Sequence, residues 1–319
     1  MLSRFFLGVL FIVVCFLGGT VKGEEDKIRV LVWNVWRGTN KVDQGAEKAL
    51  ALIKETKADL CLLQESYDIE GPRGKFGPWA AEKLGWESWQ GKSPHLCVIT
   101  RYKVKKSFFH ADWHGLGVEL EDDKGRELHA FSIWIDYRSP IGKYLMKNPE
   151  ASDAEVLQSE TKRSGRTKQA QAILDYLRKE KLLGMETPLL VGGDWNCPSH
   201  LDWTAAVAKE VPYRRPLELP VSKMMKKANF SDTFRMVHPD PLKVQGNTWS
   251  PLFRKADGVD QPMNRIDRLY YKSNLKKPKL KPVKATVYPE VLEDEEIPVR
   301  QRKFPSDHAA VLIEFDWVE

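Results

Sequence analysis

Cysteine is scarce in this sequence, with four residues in 319. Cys15 falls inside the N-terminal apolar run behind Val14, where a lipoprotein cleavage site would need a small residue. Cys61, Cys97 and Cys197 are left, odd in number and without ligand-type spacing, which excludes a disulfide framework and a cysteine metal cage. Cys61 and Cys97 sit in apolar, strand-like runs and read as small buried hydrophobes. After Leu17 no hydrophobic run is long enough to cross a bilayer. Internal repeats and low-complexity linkers are also missing, so nothing marks a boundary between domains. Net charge is small: the formal +6 falls to +4 once Arg4 and Lys22 are removed with a leader, an excess that permits nucleic acid without arguing for it.

A hydrophobic fraction of 42% against 29% charged residues is enough to bury a core and excludes wholesale disorder. The chain starts with a basic Arg4, continues through an apolar run from Phe5 to Leu17, and reaches small residues ending at Gly23 before the acidic Glu24. That order describes a secretory signal over residues 1–23, followed by one domain over 24–319. The alternative is an N-terminal anchor, for which the run is short against the ~20 residues a spanning helix needs. A soluble, secreted or periplasmic monomer with no membrane span after signal removal is the expectation.

Short β-rich runs alternate with amphipathic ones from Ile28 onward. Ile28–Trp33 reads as a strand, Asp43–Lys57 as a helix with Ala46, Ala49, Leu50 and Ile53 on one face, and Leu60–Gln64 as a strand buried on both faces. Leu96–Thr100, Gly117–Leu120 and Leu128–Ile135 suggest an antiparallel meander. Thr167–Lys181 is a helix leading into the strand Pro188–Val191, and Ser222–Ala228 is a short helix. Arg265–Tyr271 and Ala309–Phe315 read as closing strands of a second sheet, and polar Tyr137–Gly165 as a long surface insertion. The lysine-rich stretch Lys272–Lys284 reads as a solvated loop, with nucleic-acid contact as the alternative.

Five segments place a carboxylate, amide or imidazole at the end of a predicted strand, where a rigid support can hold catalytic groups. They are Trp33-Asn34-Val-Trp-Arg-Gly38, Gln64-Glu65-Ser66, Gly192-Gly-Asp194-Trp-Asn196, Asn264-Arg-Ile-Asp267-Arg268 and Ser306-Asp307-His308. Alone, each is as well explained by a turn or helix cap. Together, in this order and across almost the whole chain, they resemble the endonuclease/exonuclease/phosphatase superfamily of metallophosphoesterases.

The resemblance implies an α/β fold, a four-layer α/β sandwich of two mixed β-sheets flanked by helices. It implies a metal site at Glu65, Asn34 and Asp307, with Glu65 the principal ligand of a Mg²⁺ or Mn²⁺ ion, Ca²⁺ being admissible. Asp194 would orient or deprotonate the attacking water, Asn196 would donate to a phosphate oxygen, and His308 would act with Asp267 as its acidic partner. Gln64 would position the phosphate. These residue types suit the chemistry: a hard cation needs only one or two carboxylates beside water and substrate oxygens, and a cationic imidazole stabilises charge developing at phosphorus.

One position departs from the family's pattern. Trp134 stands where many members carry a histidine, and indole donates a hydrogen bond but transfers no proton at physiological pH. Trp134 is therefore expected in substrate binding or in plain packing, with His110, His114 and His129 as candidates to compensate. Arg166, ahead of the Thr167 helix, is a candidate phosphate holder. The segments following Asn196 and Asn229 resemble a secreted bacterial phosphatase or phosphodiesterase branch. A small-molecule phosphate ester is ranked first as substrate, an extracellular nuclease using Trp36, Trp113 and Trp249 second, and a non-catalytic binding protein on the same fold is the contrasting class.

Overall fold

The computed structural model describes residues 26–273 and 279–318, so the expected signal over residues 1–23 lies outside the described residues. Among the described residues, no helix is long and apolar enough to cross a membrane.

Strands β1 (Lys27–Asn34), β2 (Leu60–Gln64), β3 (Glu87–Trp89) and β4 (Cys97–Thr100) alternate with helices α1 (Gly45–Glu55) and α2 (Phe76–Leu84). Strands β5 (Lys103–Ala111), β6 (Gly115–Glu121) and β7 (Glu127–Trp134) follow, then helices α3 (Ile141–Lys147), α4 (Asp153–Thr161) and α5 (Arg166–Lys179), and strand β8 (Leu189–Asp194). Next come α6 (Val207–Glu210), α7 (Pro220–Lys227), the two-residue β9 (Ser231–Asp232) and α8 (Thr233–Val237). A small hairpin of β10 (Lys255–Ala256) and β11 (Val259–Asp260) precedes β12 (Asp267–Lys272), β13 (Leu280–Tyr288) and β14 (Ala310–Trp317).

Two six-stranded sheets result, ordered β13-β14-β1-β2-β4-β3 and β5-β6-β7-β8-β12-β9. Both are mixed: β1 and β2 run parallel, as do β7 and β8, while the other pairs are antiparallel. The sequence of β1 shows why the layers form. Val30 and Val32 enter the core between the sheets with Leu62, Leu116, Val118, Leu190 and Leu269. Leu31 and Trp33 point the other way, into a core shared with Ala46, Ala49 and Ile53 of α1, as the two-residue period of a strand requires. On the far side of the second sheet, Ile133 and Val191 pack against Ala170, Ile173, Leu174 and Leu177 of α5 and Met225 of α7. The expected four-layer sandwich is thus observed, and Leu60–Gln64 is buried along its whole length.

Four element assignments need correction. Arg265–Tyr271 and Ala309–Phe315 do not close one sheet: β12 lies between β8 and β9, and β14 between β13 and β1. Leu96–Thr100 joins the first sheet, and the meander's third strand is Lys103–Ala111, whose exposed lysines hide its pattern. Tyr137–Gly165 is not a featureless insertion. It folds as α3 and α4, whose Ile141, Leu145 and Val156 form a separate small core with Trp203, Leu217 and Leu219. The Lys272–Lys284 stretch is not one loop, because Lys272 ends β12 and Leu280–Lys284 begins β13, with 274–278 outside the described residues. The three cysteines are unpaired and buried.

Candidate active site

The two parallel pairs decide where the site lies. Strands β1 and β2 end side by side at Asn34 and Gln64, and β7 and β8 end side by side at Trp134 and Asp194. Strand β12 starts beside them, with Asp267 opposite Asp194, and β14 starts just after His308. One edge of the sandwich therefore gathers residues from all five motif segments around a cleft of about 930 Å³, which Glu65, Asp194, Asn196, Asn264, Asp307 and His308 help to line.

Glycine lets the strands come this close. A Cβ on Gly193, at φ +155°, would lie 1.9 Å from the carbonyl oxygen of Ile133, so the glycine before Asp194 is demanded by its neighbour strand. Gly38, at φ +64°, leaves no room for a Cβ against the carbonyls of Tyr67 and Asp68 and donates its N–H to Glu65 O at 2.8 Å. Glu65 and Asn196 hold φ +56° and +49°. Non-glycine residues in this region carry backbone strain that surrounding contacts must hold, as is common at functional sites.

At the centre, His308 Nδ1 lies 3.0 Å from Asp267 Oδ2 and its Nε2 lies 3.8 Å from Asp194 Oδ2. Burial opposes charge on this imidazole, but Asp267 and Asp194 outweigh it and hold the ring cationic, well above its usual titration range. Several groups fix its position. Trp33 Nε1 donates to His308 O at 2.9 Å, Ser306 Oγ accepts from His308 N and donates to Asn34 O, and Thr248 Oγ1 accepts from Asp267 N. Burial pushes the Asp194 carboxyl up to about 7, with His308 opposing the rise and Asp267 adding to it. Asp307 is raised to about 6 by burial, with His308 opposing and Glu65 adding.

Some expected roles are not what the geometry provides. Asn34 is fully buried; its Nδ2 donates to Glu65 Oε1 and to Asp194 Oδ2, both at 3.1 Å, while its Oδ1 accepts from Trp36 N. Asn34 thus ties the two carboxylates together through its Nδ2, while Trp36 N already bonds the oxygen expected to face a metal. Asn196 commits its Nδ2 to Ile135 O and Asp194 Oδ2, so it clamps Asp194 and has no amide hydrogen left for phosphate. Gln64 does not reach the cleft, because its Nε2 donates to Leu62 O and Ser132 Oγ between the sheets. Arg166 cannot hold phosphate either. It is fully buried and donates to the carbonyls of Asp136, Arg138, Ser139, Ser159 and Asn196, bracing the segment below the site. Trp134 does line the cleft, beside Asp194, with its Nε1 buried and unpartnered among the described residues. None of His110, His114 and His129 lines it: His114 Nδ1 bonds Trp134 O from behind, His110 stacks on Tyr176, and His129 faces Glu119.

A histidine outside the motifs holds Glu65 instead. Buried His95 accepts from Glu65 N at 3.2 Å, and its Nε2 lies 3.1 Å from Trp113 O, which needs the neutral ring. No sequence pattern marks it, since it precedes an apolar strand as a turn residue would. Burial lowers its pKa to about 4, with the Trp113 carbonyl opposing. Between pH 6.5 and 4 the unfolded chain binds this proton and the native chain does not, so stability falls as the pH falls. In a His95→Gln variant, the destabilisation seen in urea at pH 7 is therefore expected to shrink by about 2–3 kcal/mol at pH 4.5; an unchanged gap between variant and parent would refute the neutral assignment.

A hard divalent cation fits this donor set. Glu65 and Asp307 bring carboxylates to one cleft, and Asp307 Oδ1 is buried without a partner among the described residues. Asp194, Asp267 and His308 also each bring one ligand-type atom within 4.8 Å of the others, a spacing compatible with a metal. There, however, the imidazolium is itself the counter-ion, so Glu65 with Asp307 is the better place for a metal.

Residues 31–308 match the Endonuclease/Exonuclease/phosphatase family, and the chain belongs to that family. Its members are phosphoester hydrolases, mostly dependent on divalent metals. A Caenorhabditis elegans relative, uncharacterized protein F14F9.5, is 26% identical over 97% of this chain and 99% of its own length. Among solved structures, the human Nocturnin catalytic domain with bound sulfate is similar at 17% identity and TM-score 0.54, over 92% of this chain and 96% of that one. Truncated Caenorhabditis elegans TDP2 is similar at 17% identity and TM-score 0.55, over 91% and 97%. These structural likenesses carry the fold alone.

Proposed function

We propose that the protein is an exported, divalent-metal-dependent phosphoesterase that hydrolyses phosphomonoesters or phosphodiesters of small molecules. The convergence of Glu65, Asp194, Asp307 and the cationic His308 on one cleft carries this reading. Asp194, raised to about 7 and held by Asn34 and Asn196, is placed to take a proton from water. The water oxygen bonds to phosphorus as the bond from phosphorus to the leaving oxygen breaks. His308 then stabilises the phosphoryl charge and gives a proton to the departing oxygen, with Asp267 holding the ring in place. Glu65 and Asp307 would hold Mg²⁺, Mn²⁺ or Ca²⁺, whose charge supplies Lewis-acid polarisation of a phosphoryl oxygen.

A small substrate is favoured over nucleic acid because the lysine-rich stretch on β13 does not extend the cleft's own cations into a longer groove. Lys281 pairs in register with Asp316, at the opposite end of β14 from His308, roughly 25 Å along the strand. A groove that neutralises several successive phosphates needs its cations beside the reacting one. Residues 24–319 are taken to act as one unit and as a monomer, with export resting on the leader-like residues 1–23. The resemblance to a secreted bacterial phosphatase or phosphodiesterase branch has no support from the whole-length relative, which is a nematode protein. The test is a panel of small monoesters, small diesters, phospholipids and DNA assayed with Mg²⁺, Mn²⁺, Ca²⁺ and chelator. Turnover of the small esters that chelator abolishes and added metal restores is expected; turnover unaffected by chelator, or confined to DNA in a strongly salt-dependent way, would overturn it.

A further inference from the structure

The cleft's non-acidic lining is unusually aromatic. Trp36, Tyr67, Trp113, Trp134, Tyr137 and Trp249 all line it. A continuous wall runs along one side: Tyr67 and Trp113 have ring centroids 6.5 Å apart, and Trp113 lies 4.9 Å from His95. His95 meets Trp134 edge-on at 5.5 Å, and Trp134 lies 5.9 Å from Tyr137. Trp36 stands beside Asn34 and is braced edge-on by Phe253 at 5.5 Å, while Trp249 is bridged to His308.

Core packing does not explain two rings of this wall. Trp113 is 46% exposed and Tyr137 is 63% exposed, though both rings line a concave site. Large apolar rings facing water around a concave site indicate a surface that a ligand covers. The sign of the nearby charge narrows the choice. An aromatic wall also suits a quaternary ammonium, but Arg37, Lys41 and Lys143 line the same cleft, and Lys143 Nζ already sits 5.0 Å over the Trp249 ring. The Trp249 face is thus already taken by a cation, whereas an uncharged planar ring attached to an anionic phosphate meets the remaining stacking faces together with Arg37, Lys41 and Lys143.

We propose that the substrates are phosphodiesters bearing a planar aromatic group, of phenyl to nucleobase size, next to the phosphorus, and that Trp113 and Tyr137 select for it by stacking. This rests on the phosphoesterase reading and adds the identity of the group that the phosphate carries. Two diesters with no other ring separate recognition of a planar group from plain apolar bulk: phenyl methyl phosphate and cyclohexyl methyl phosphate. With Mn²⁺, KM for the phenyl ester is expected to be lower by roughly tenfold, the usual effect of one stacked ring. That preference should fall to within about twofold in the Trp113→Ala, Tyr137→Ala double variant.

Binding is measured in parallel by calorimetry with phenylphosphonate and methylphosphonate in the presence of Mn²⁺, which needs no turnover. Tighter phenylphosphonate binding that the double variant abolishes supports ring recognition even if neither ester is hydrolysed, an outcome that would count against the phosphoesterase reading alone. Equal binding of the two phosphonates, no binding of either, or a phenyl preference that survives in the double variant would overturn the inference while leaving metal-dependent hydrolysis of small esters intact.

Discussion

In a His308→Gln variant, kcat/KM for any phosphate ester the protein hydrolyses is expected to fall at least ~100-fold, about 2.7 kcal/mol of lost transition-state stabilisation. Glutamine is near histidine in size and can still bond Asp267, but it carries neither the positive charge nor the transferable proton that Asp267 and Asp194 hold on the ring. The loss should appear in kcat as well as in kcat/KM, because the charge being answered develops only as the bond to phosphorus forms. Near-UV circular dichroism should be unchanged, since Trp33 and Ser306 grip the backbone of residue 308 and not its side chain. A variant with native spectrum and activity within threefold of the parent would remove His308 from the chemistry.

Glu65→Gln is expected to be as damaging through a different route. Glu65 accepts from Asn34 Nδ2 on Oε1 and from Arg37 N on Oε2, of which glutamine keeps one, but the strained turn at φ +56° should persist because Gly38 N and His95 Nδ1 bond the backbone of residue 65. What disappears is the negative charge that a hard cation needs. Loss of an outer partner of a metal ligand alone commonly costs roughly 10–100-fold in metal affinity or activity, so removal of a direct carboxylate should exceed that range. A metal titration should show half-maximal activity displaced to higher concentration by at least ~100-fold, with saturating metal failing to restore the parent rate. Unchanged metal dependence would move the cation to Asp194, Asp267 and His308, which are spaced closely enough to be considered.

The layers were legible from sequence where a strand alternates between two apolar environments. Leu31 and Val32 belong to different cores, and both appear in the same uninterrupted run. The site's membership was legible too, because motif residues at strand ends have few structural reasons to recur in that order. What each amide does was not legible. Asn34 and Asn196 look like free donors or ligands in sequence, yet both are consumed in holding Asp194, a fact set by partners on other strands. Arg166 reads as a helix-end cation, but of its five carbonyl partners four lie earlier in the chain, between Asp136 and Ser159, and the fifth is Asn196. His95 was invisible for the same reason: its importance lies in a bond to the backbone of Glu65. Helices α3 and α4 were missed because their small core is completed by Trp203, Leu217 and Leu219, far along the chain, and so leaves only a short apolar pattern in Tyr137–Gly165 itself.

The bond from Trp33 to His308 joins residues 275 apart in sequence. An imidazole placed just ahead of β14 and carboxylates delivered by β2 and β8 come together only when the β13–β14 pair has docked on β1. Pairing at such a sequence separation is slow to form. The cleft is thus a property of the closed sandwich as a whole, and freeing β14 would remove His308 from it while the residues of the Glu65 turn stay in place on β2.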